Sequence, residues 1–177
     1  MYTYKVTPFH RYERTLAFMK MSLNPPARIL DMGIDNPFSE ILRKEGYEVM
    51  NTGGEDLDLD QSRLLQPDYE VLTGFEILEH VLNPLTILKS VAADRMFLSV
   101  PLKIWFDSAY RSKTDMWDRH YHEFEDWQFD WLLEKAGWDI VRSEKWNGLS
   151  KFKLGVRPIL RKIYPRYYIV EAVRRKG

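Results

Sequence analysis

Two Asn-Pro steps, Asn36-Pro37 and Asn83-Pro84, each follow a short apolar run and open a helical one. Asparagine caps free helix N–H groups, and proline in the first turn lacks an N–H that would otherwise need a partner. Each step therefore marks a strand handing over to a helix. Ala27–Met32 precedes the first, and its helix buries Phe38, Ile41 and Leu42 before Gly46 ends it. Tyr69–Thr73 precedes the second, whose helix carries Leu85, Leu88 and Val91.

The same alternation fills the rest of the chain. Phe9–Met21 predicts a helix on the spacing of Phe9, Tyr12, Leu16 and Met19, stopped by Asn24-Pro25-Pro26. Tyr47–Met50 and Arg95–Val100 predict strands. Residues 125–136 predict a helix, with Trp127 and Trp131 read as core, and Trp138–Glu144 a strand. A basic helical piece, about Val156–Tyr164, leads to a strand at Tyr167–Val173. Glu55–Asp60 is too short for a helix plus a strand. Strands alternating with helices predict one domain over 1–177, an α/β three-layer sandwich, with the last two strands forming an antiparallel edge hairpin.

Composition narrows the chemistry. With no cysteine, disulfides, thiolate metal sites and thiol catalysis are excluded. Met1–His10 has no apolar stretch of the signal-peptide kind, and no window is apolar enough to span a membrane, so a cytoplasmic protein is expected. Net charge is zero but uneven. From Lys145 onward there are ten lysines and arginines against Glu171 alone, which leaves residues 1–144 at −9. The basic stretch 151–166 could meet an anionic acceptor, a membrane surface or nucleic acid. Packing on the acidic body is the preferred reading.

Candidate site residues cluster where strands end. Ligands of open α/β sheets bind at the carboxyl ends of strands, and Asp31-Met32-Gly33 lies there, directly before a helix start. Ile29-Leu30-Asp31-Met32-Gly33 resembles the first motif of class I S-adenosylmethionine (SAM)-dependent methyltransferases. Glu76-Ile77-Leu78-Glu79-His80, ending a strand and followed by Asn83-Pro84, resembles the fourth-strand segment of small methyltransferases of the ubiquinone-biosynthesis and methionine-pathway-associated kinds. Leu98-Ser99-Val100-Pro101 and His122–Gly137 are similar to the segments that follow in that family. The likeness spans about residues 10–144, in the family's order.

The resemblance implies a seven-stranded, mostly parallel, Rossmann-like methyltransferase sheet, SAM as cofactor and methyl transfer to an acceptor. It places Asp31 and Gly33 at the amino-acid end of SAM, Asn51 near the ribose, Asp56 or Asp58 near the adenine amino group, and Thr73 to Phe75 at the pocket floor. The chain departs from the pattern twice. Ile34, Asp35, Asn36 and Pro37 stand where the family has further glycines, and Asn51 and Thr52 stand where it has a ribose-binding acid, with Glu55 a few residues later. A methyltransferase-like binding protein without catalysis is the alternative.

His120 and His122 have two readings: acceptor-side residues, one of them a general base, or an ordered loop. A His-x-His metal site completed by Glu123 is disfavoured, and no metal is expected. The aromatic loop that carries Trp105, Phe106, Tyr110, Trp117 and Tyr121 either covers the substrate or packs as a satellite core.

Overall fold

The computed structural model describes residues 9–106, 108, 112–147, 160 and 163–176. Among them, helix α1 (Phe9–Lys20) precedes strand β1 (Arg28–Asp31), helix α2 (Pro37–Lys44) and strand β2 (Glu48–Asn51). Strand β3 (Val71–Phe75), a short 3₁₀ turn (Leu78–His80), helix α3 (Pro84–Lys89) and strand β4 (Arg95–Pro101) follow. Helix α4 (Asp126–Ala136) and strands β5 (Trp138–Trp146) and β6 (Tyr167–Arg174) complete the order. The sheet runs β2-β1-β3-β4-β6-β5. The pairs β1–β2, β1–β3 and β3–β4 are parallel, whereas β6 lies antiparallel between β4 and β5.

Side chains alternate across each strand, so each strand feeds two cores. Ile29, Val71, Phe97 and Ile169 point to one face, where Tyr12, Phe18 and Met19 of α1 and Phe38 and Leu42 of α2 cover them. Leu30, Leu72, Met96, Leu98 and Val170 point to the other, under Ile87 and Leu88 of α3 and Phe129 and Leu133 of α4. The two helical layers and the sheet between them make the expected sandwich. The α1/α2 face also carries buried polar residues two positions along the same strands: Asp31, Thr73, Ser99 and Glu171. The first three lie toward the carboxyl ends of β1, β3 and β4.

Both Asn-Pro starts form. The Asn36 side chain accepts from the N–H groups of Phe38 and Ser39, and Asn83 accepts from Thr86 N–H. Strand β3 begins and ends two residues later than its sequence pattern suggested.

Two expectations are corrected. The described residues form six strands, not seven. Between β2 and β3 the chain makes only turns, because the acids there bind backbone instead of extending: Asp56 accepts from Asp58 N–H, and Asp60 from Ser62 N–H. Strand β2 is therefore a sheet edge, and the Arg43 guanidinium covers it by donating twice to the Val49 carbonyl at 3.3 Å.

The second correction concerns α4. Its buried face is Phe129, Leu133 and Ala136. Trp127 and Trp131 lie outward, 44% and 64% exposed, packed edge-on against each other at 4.8 Å. Trp127 donates its indole N–H to Glu125 at 2.8 Å. Indole spacing at i and i+4 reports a shared face, and here that face is the solvent one.

The aromatic loop had two readings. Trp105 and Trp117 are exposed, Trp105 packs edge-on against Phe106 (5.4 Å) and Tyr164 (6.3 Å), and Tyr110 lies outside the described residues. Most of the basic piece 151–166, including Lys151, Lys153, Arg157, Arg161 and Lys162, lies outside the described residues. Among the described residues no helix is long and apolar enough to cross a membrane.

Candidate functional site

A cavity of about 830 Å³ opens at the carboxyl ends of β1, β3 and β4, the size of a small-molecule site. Asp31, Gly33 and Phe38 line one end of it, and Glu55, Asp56 and Leu57 a second wall. Phe75 to Ile77, Glu79 and His80 form its floor. Arg11, Trp117, His120 and Arg166 close the far side.

The β1–α2 turn is built around Asp31. Its carboxylate is 3% exposed and accepts four hydrogen bonds, from Thr73 Oγ1 (2.7 Å), Ser39 Oγ (3.0 Å), Asn36 Nδ2 (3.1 Å) and Asn51 Nδ2 (3.2 Å). All four donors are neutral. Burial raises the Asp31 pKa above the ordinary carboxylate value, and these hydrogen bonds oppose the rise. Asp31 thus ties β1, β2, β3 and the start of α2 together. The first N–H groups of α2 are occupied as well, by Asn36.

Gly33 follows with φ +103°, a conformation that only glycine adopts without strain. The Thr52 hydroxyl clamps its peptide, accepting from Gly33 N–H at 2.7 Å and donating to Gly33 C=O at 3.3 Å. Across the turn, Gly54 has φ +85°, and a Cβ there would stand 2.6 Å from the Ile34 side chain. The bulky residue in the β1–α2 turn is accommodated by a glycine in the loop after β2.

The other expected site residues divide. Asp56 and Phe75 line the cavity. Thr73 is fully buried behind Asp31. Asn51 does not line it: its amide holds Asp31 and Ser39, and its oxygen accepts from Arg43. Asp58 does not line it either, because its carboxylate caps the Leu82 and Asn83 N–H groups at 2.7 and 2.8 Å. His120 lines the cavity, whereas His122 turns its Nε2 toward the Leu82 carbonyl (3.2 Å) and stacks on Phe124. Both rings also line a smaller neighbouring pocket together with Glu123 and Arg166.

Glu55, named in the sequence only as an acid a few residues beyond the ribose position, joins three charged residues not assigned to the site there: Glu76, Glu79 and Arg11. Glu55 lines the cavity with one buried carboxylate oxygen that has no hydrogen-bond partner. Glu76 adopts φ +59°, a left-handed backbone at a non-glycine residue. It accepts from Ser99 Oγ at 2.9 Å and lies 3.6 Å from the Arg11 guanidinium. Glu79 is 1% exposed, and its Oε2 has no hydrogen-bond partner. Burial, reinforced by the Glu76 charge, holds its carboxyl well above the usual range. A signal existed: Glu76 and Glu79 are acids three apart inside the apolar run Phe75–Val81. Arg11 carried none, being sixty-five residues away.

The neighbouring imidazoles are pushed toward neutrality. Burial lowers His80, and burial together with the His80 ring lowers His120 to about 4.

No protein-family model matches the chain, and no curated protein matches it. Solved structures do. The chain is 14% identical to a SAM-dependent methyltransferase from Archaeoglobus fulgidus, at a TM-score of 0.65 over 97% of this chain and 96% of that one. It is 13% identical to a SAM-dependent methyltransferase from Mesorhizobium loti, with a TM-score of 0.62 over 90% and 96%. The 1,6-didemethyltoxoflavin-N1-methyltransferase of Burkholderia thailandensis, solved with bound 1,6-didemethyltoxoflavin and S-adenosylhomocysteine, aligns at a TM-score of 0.58 over 99% of this chain and 94% of that one, with 16% identity. At these identities the likeness shows the fold, which is that of SAM-dependent methyltransferases.

Proposed function

We propose that this chain is a SAM-dependent methyltransferase whose acceptor is unidentified. The observation that carries the reading is the cavity at the carboxyl ends of β1, β3 and β4, which starts at a glycine turn and holds an unpartnered carboxylate oxygen on Glu55. That acceptor set fits SAM: the sugar hydroxyls can donate to Glu55, and the ligand's positive charge suits a wall that carries Glu55 and Asp56.

The expected roles are adjusted to the geometry. Gly33 lets the amino-acid end approach the backbone, and Asp31 shapes that turn as a positioning residue. Glu55, instead of Asn51, takes the ribose, and Asp56, instead of Asp58, faces the adenine. Phe75 supports the nucleotide from the floor, with Thr73 behind it.

Bound SAM supplies a methyl group already activated on a sulfonium. The protein's part is then to align the acceptor and exclude water. Arg11, Trp117 and His120 line the side left for the acceptor, and His122, held at the Leu82 carbonyl, does not line that cavity.

The test is calorimetry and thermal shift with S-adenosylhomocysteine. Binding to the native state alone stabilises it by about 2.7 kcal/mol at a hundredfold excess over Kd. Neither heat nor a melting shift at millimolar ligand would leave a methyltransferase fold without cofactor binding.

A further inference from the structure

We propose that Glu79, His80 and His120 form a binding site for one divalent transition-metal ion on the acceptor side of the cavity. Each offers one ligand atom, and these atoms lie within 4.8 Å of one another. One carboxylate with two imidazoles is the donor set of catalytic zinc and non-haem iron(II) centres, in which three protein ligands leave coordination positions open.

Three features prepare the site. Glu79 Oε2 is buried without a hydrogen-bond partner, an arrangement that is costly unless a cation or a donor meets it. The His80 ring is oriented from behind. Its Nδ1 lies 3.1 Å from the Arg119 carbonyl, so a proton on Nδ1 leaves the Nε2 lone pair 3.7 Å from Glu79 Oε1. Such a carbonyl partner is the usual means of fixing a metal-binding tautomer. Finally, Tyr121 N–H donates to the Glu79 carbonyl at 2.7 Å and pins the loop after residue 118 to the 3₁₀ turn. That contact brings the His120 ring edge-on to His80, with centroids 4.7 Å apart.

A first-row ion with bonds of about 2.1 Å needs its ligand atoms roughly 3.0–3.5 Å apart. The cluster therefore closes by about 1 Å on binding, which side-chain rotation of the part-exposed His120 can supply. The open positions face the cavity and would take an oxygen or nitrogen of the acceptor. The ion's binding does not depend on the nucleotide reading, whereas its contact with an acceptor rests on the proposed methyl transfer.

The experiment titrates Co²⁺ into chelator-treated protein without SAM or its product, followed by visible absorption and calorimetry. One Co²⁺ per chain is expected, with visible bands of four- or five-coordinate cobalt. Glu79→Gln, His80→Ala and His120→Ala should each weaken binding by at least about tenfold, the size of losses on removing outer-shell partners. His122→Ala should leave it unchanged. Should Glu79→Gln fail to fold, His120→Ala on the surface loop carries the test. No saturable signal at millimolar Co²⁺, or equal affinity in the Glu79 and His120 variants, overturns the proposal. S-adenosylhomocysteine binding, measured separately on the metal-free protein, reads the nucleotide site alone.

Discussion

The side-chain amide of Asn51 donates to the carboxylate of Asp31 at 3.2 Å, across the β1–β2 pair in which these two residues are register partners. The residue at the end of β2 therefore serves the turn beside the cavity, and Glu55 is an acid of the cavity lining with an unpartnered oxygen.

Removing Asp31 should cost stability as well as ligand. Asp31→Ala leaves Thr73, Ser39, Asn36 and Asn51 without their shared acceptor. Unsatisfied buried donors cost about 1–3 kcal/mol, and several lie at this one site. A loss on the order of 2–4 kcal/mol in urea unfolding is expected, together with lost nucleotide binding. An unchanged denaturation midpoint would show that the four bonds do not hold the turn.

Glu55→Gln should act on the ligand alone. A hydrogen bond to a charged group contributes roughly 1.5–3 kcal/mol. S-adenosylhomocysteine should therefore bind about ten- to a hundredfold more weakly, with little change in melting temperature. Calorimetry on Glu55→Gln beside Asn51→Ala separates the two candidates for the ribose.

Glu171 should set an acid limit on stability. It is buried in β6 and meets Arg95 of β4, Arg142 of β5 and the Ser22 hydroxyl. Burial pushes its carboxyl up, but the Ser22 bond and the two guanidiniums outweigh that and leave it below the ordinary value of 4.5. The unfolded chain then holds more protons in that range. The stabilisation is complete above pH 4.5 and disappears as pH falls through the folded value. Glu171→Gln should cost about 3–5 kcal/mol near neutrality. The gap from wild type should narrow as pH falls below the carboxylate range, measured by urea midpoints at stepped pH.

The two faces of α4 give a sharp contrast. Phe129→Ala should cost about 3–5 kcal/mol, as for a fully buried ring. Trp131→Ala, on the solvent face, should cost below about 1 kcal/mol beyond its pairing with Trp127. Similar losses would place both side chains in the core.

Local chemistry was legible, and long-range assembly was not. Asn36 and Asn83 announce helix starts because capping needs only residues two or three apart, and the strands from Ile29 and Phe97 are apolar enough to read as buried. The absent strand between β2 and β3 was harder, because Asp56, Asp58 and Asp60 act through side-chain bonds to backbone N–H groups that spacing does not reveal. Trp127 and Trp131 were misread because periodicity identifies a face without saying which way it points. In the site, Asp31 and Gly33 line the cavity as their place at the end of β1 suggested, and Asp56 and Phe75, which the family resemblance alone put there, line it too. The charged floor joins Arg11 to Glu76 and His80 to His120, pairings that no local pattern encodes.

The position of β6 between β4 and β5 also sets an order of assembly. The pairs β1–β2, β1–β3 and β3–β4 can form from residues 28–101, but β4 keeps an open edge until Tyr167–Arg174 arrives. On a ribosome, that edge and Arg95 wait for Glu171 while some seventy further residues are made, and Arg142 waits for about thirty. The half-built sheet is then a template for strands of other chains, and such non-local pairing is slow. Nascent chains halted before residue 167 should therefore be the ones that aggregate or bind chaperones, whereas those extended past residue 174 and clear of the exit tunnel should not.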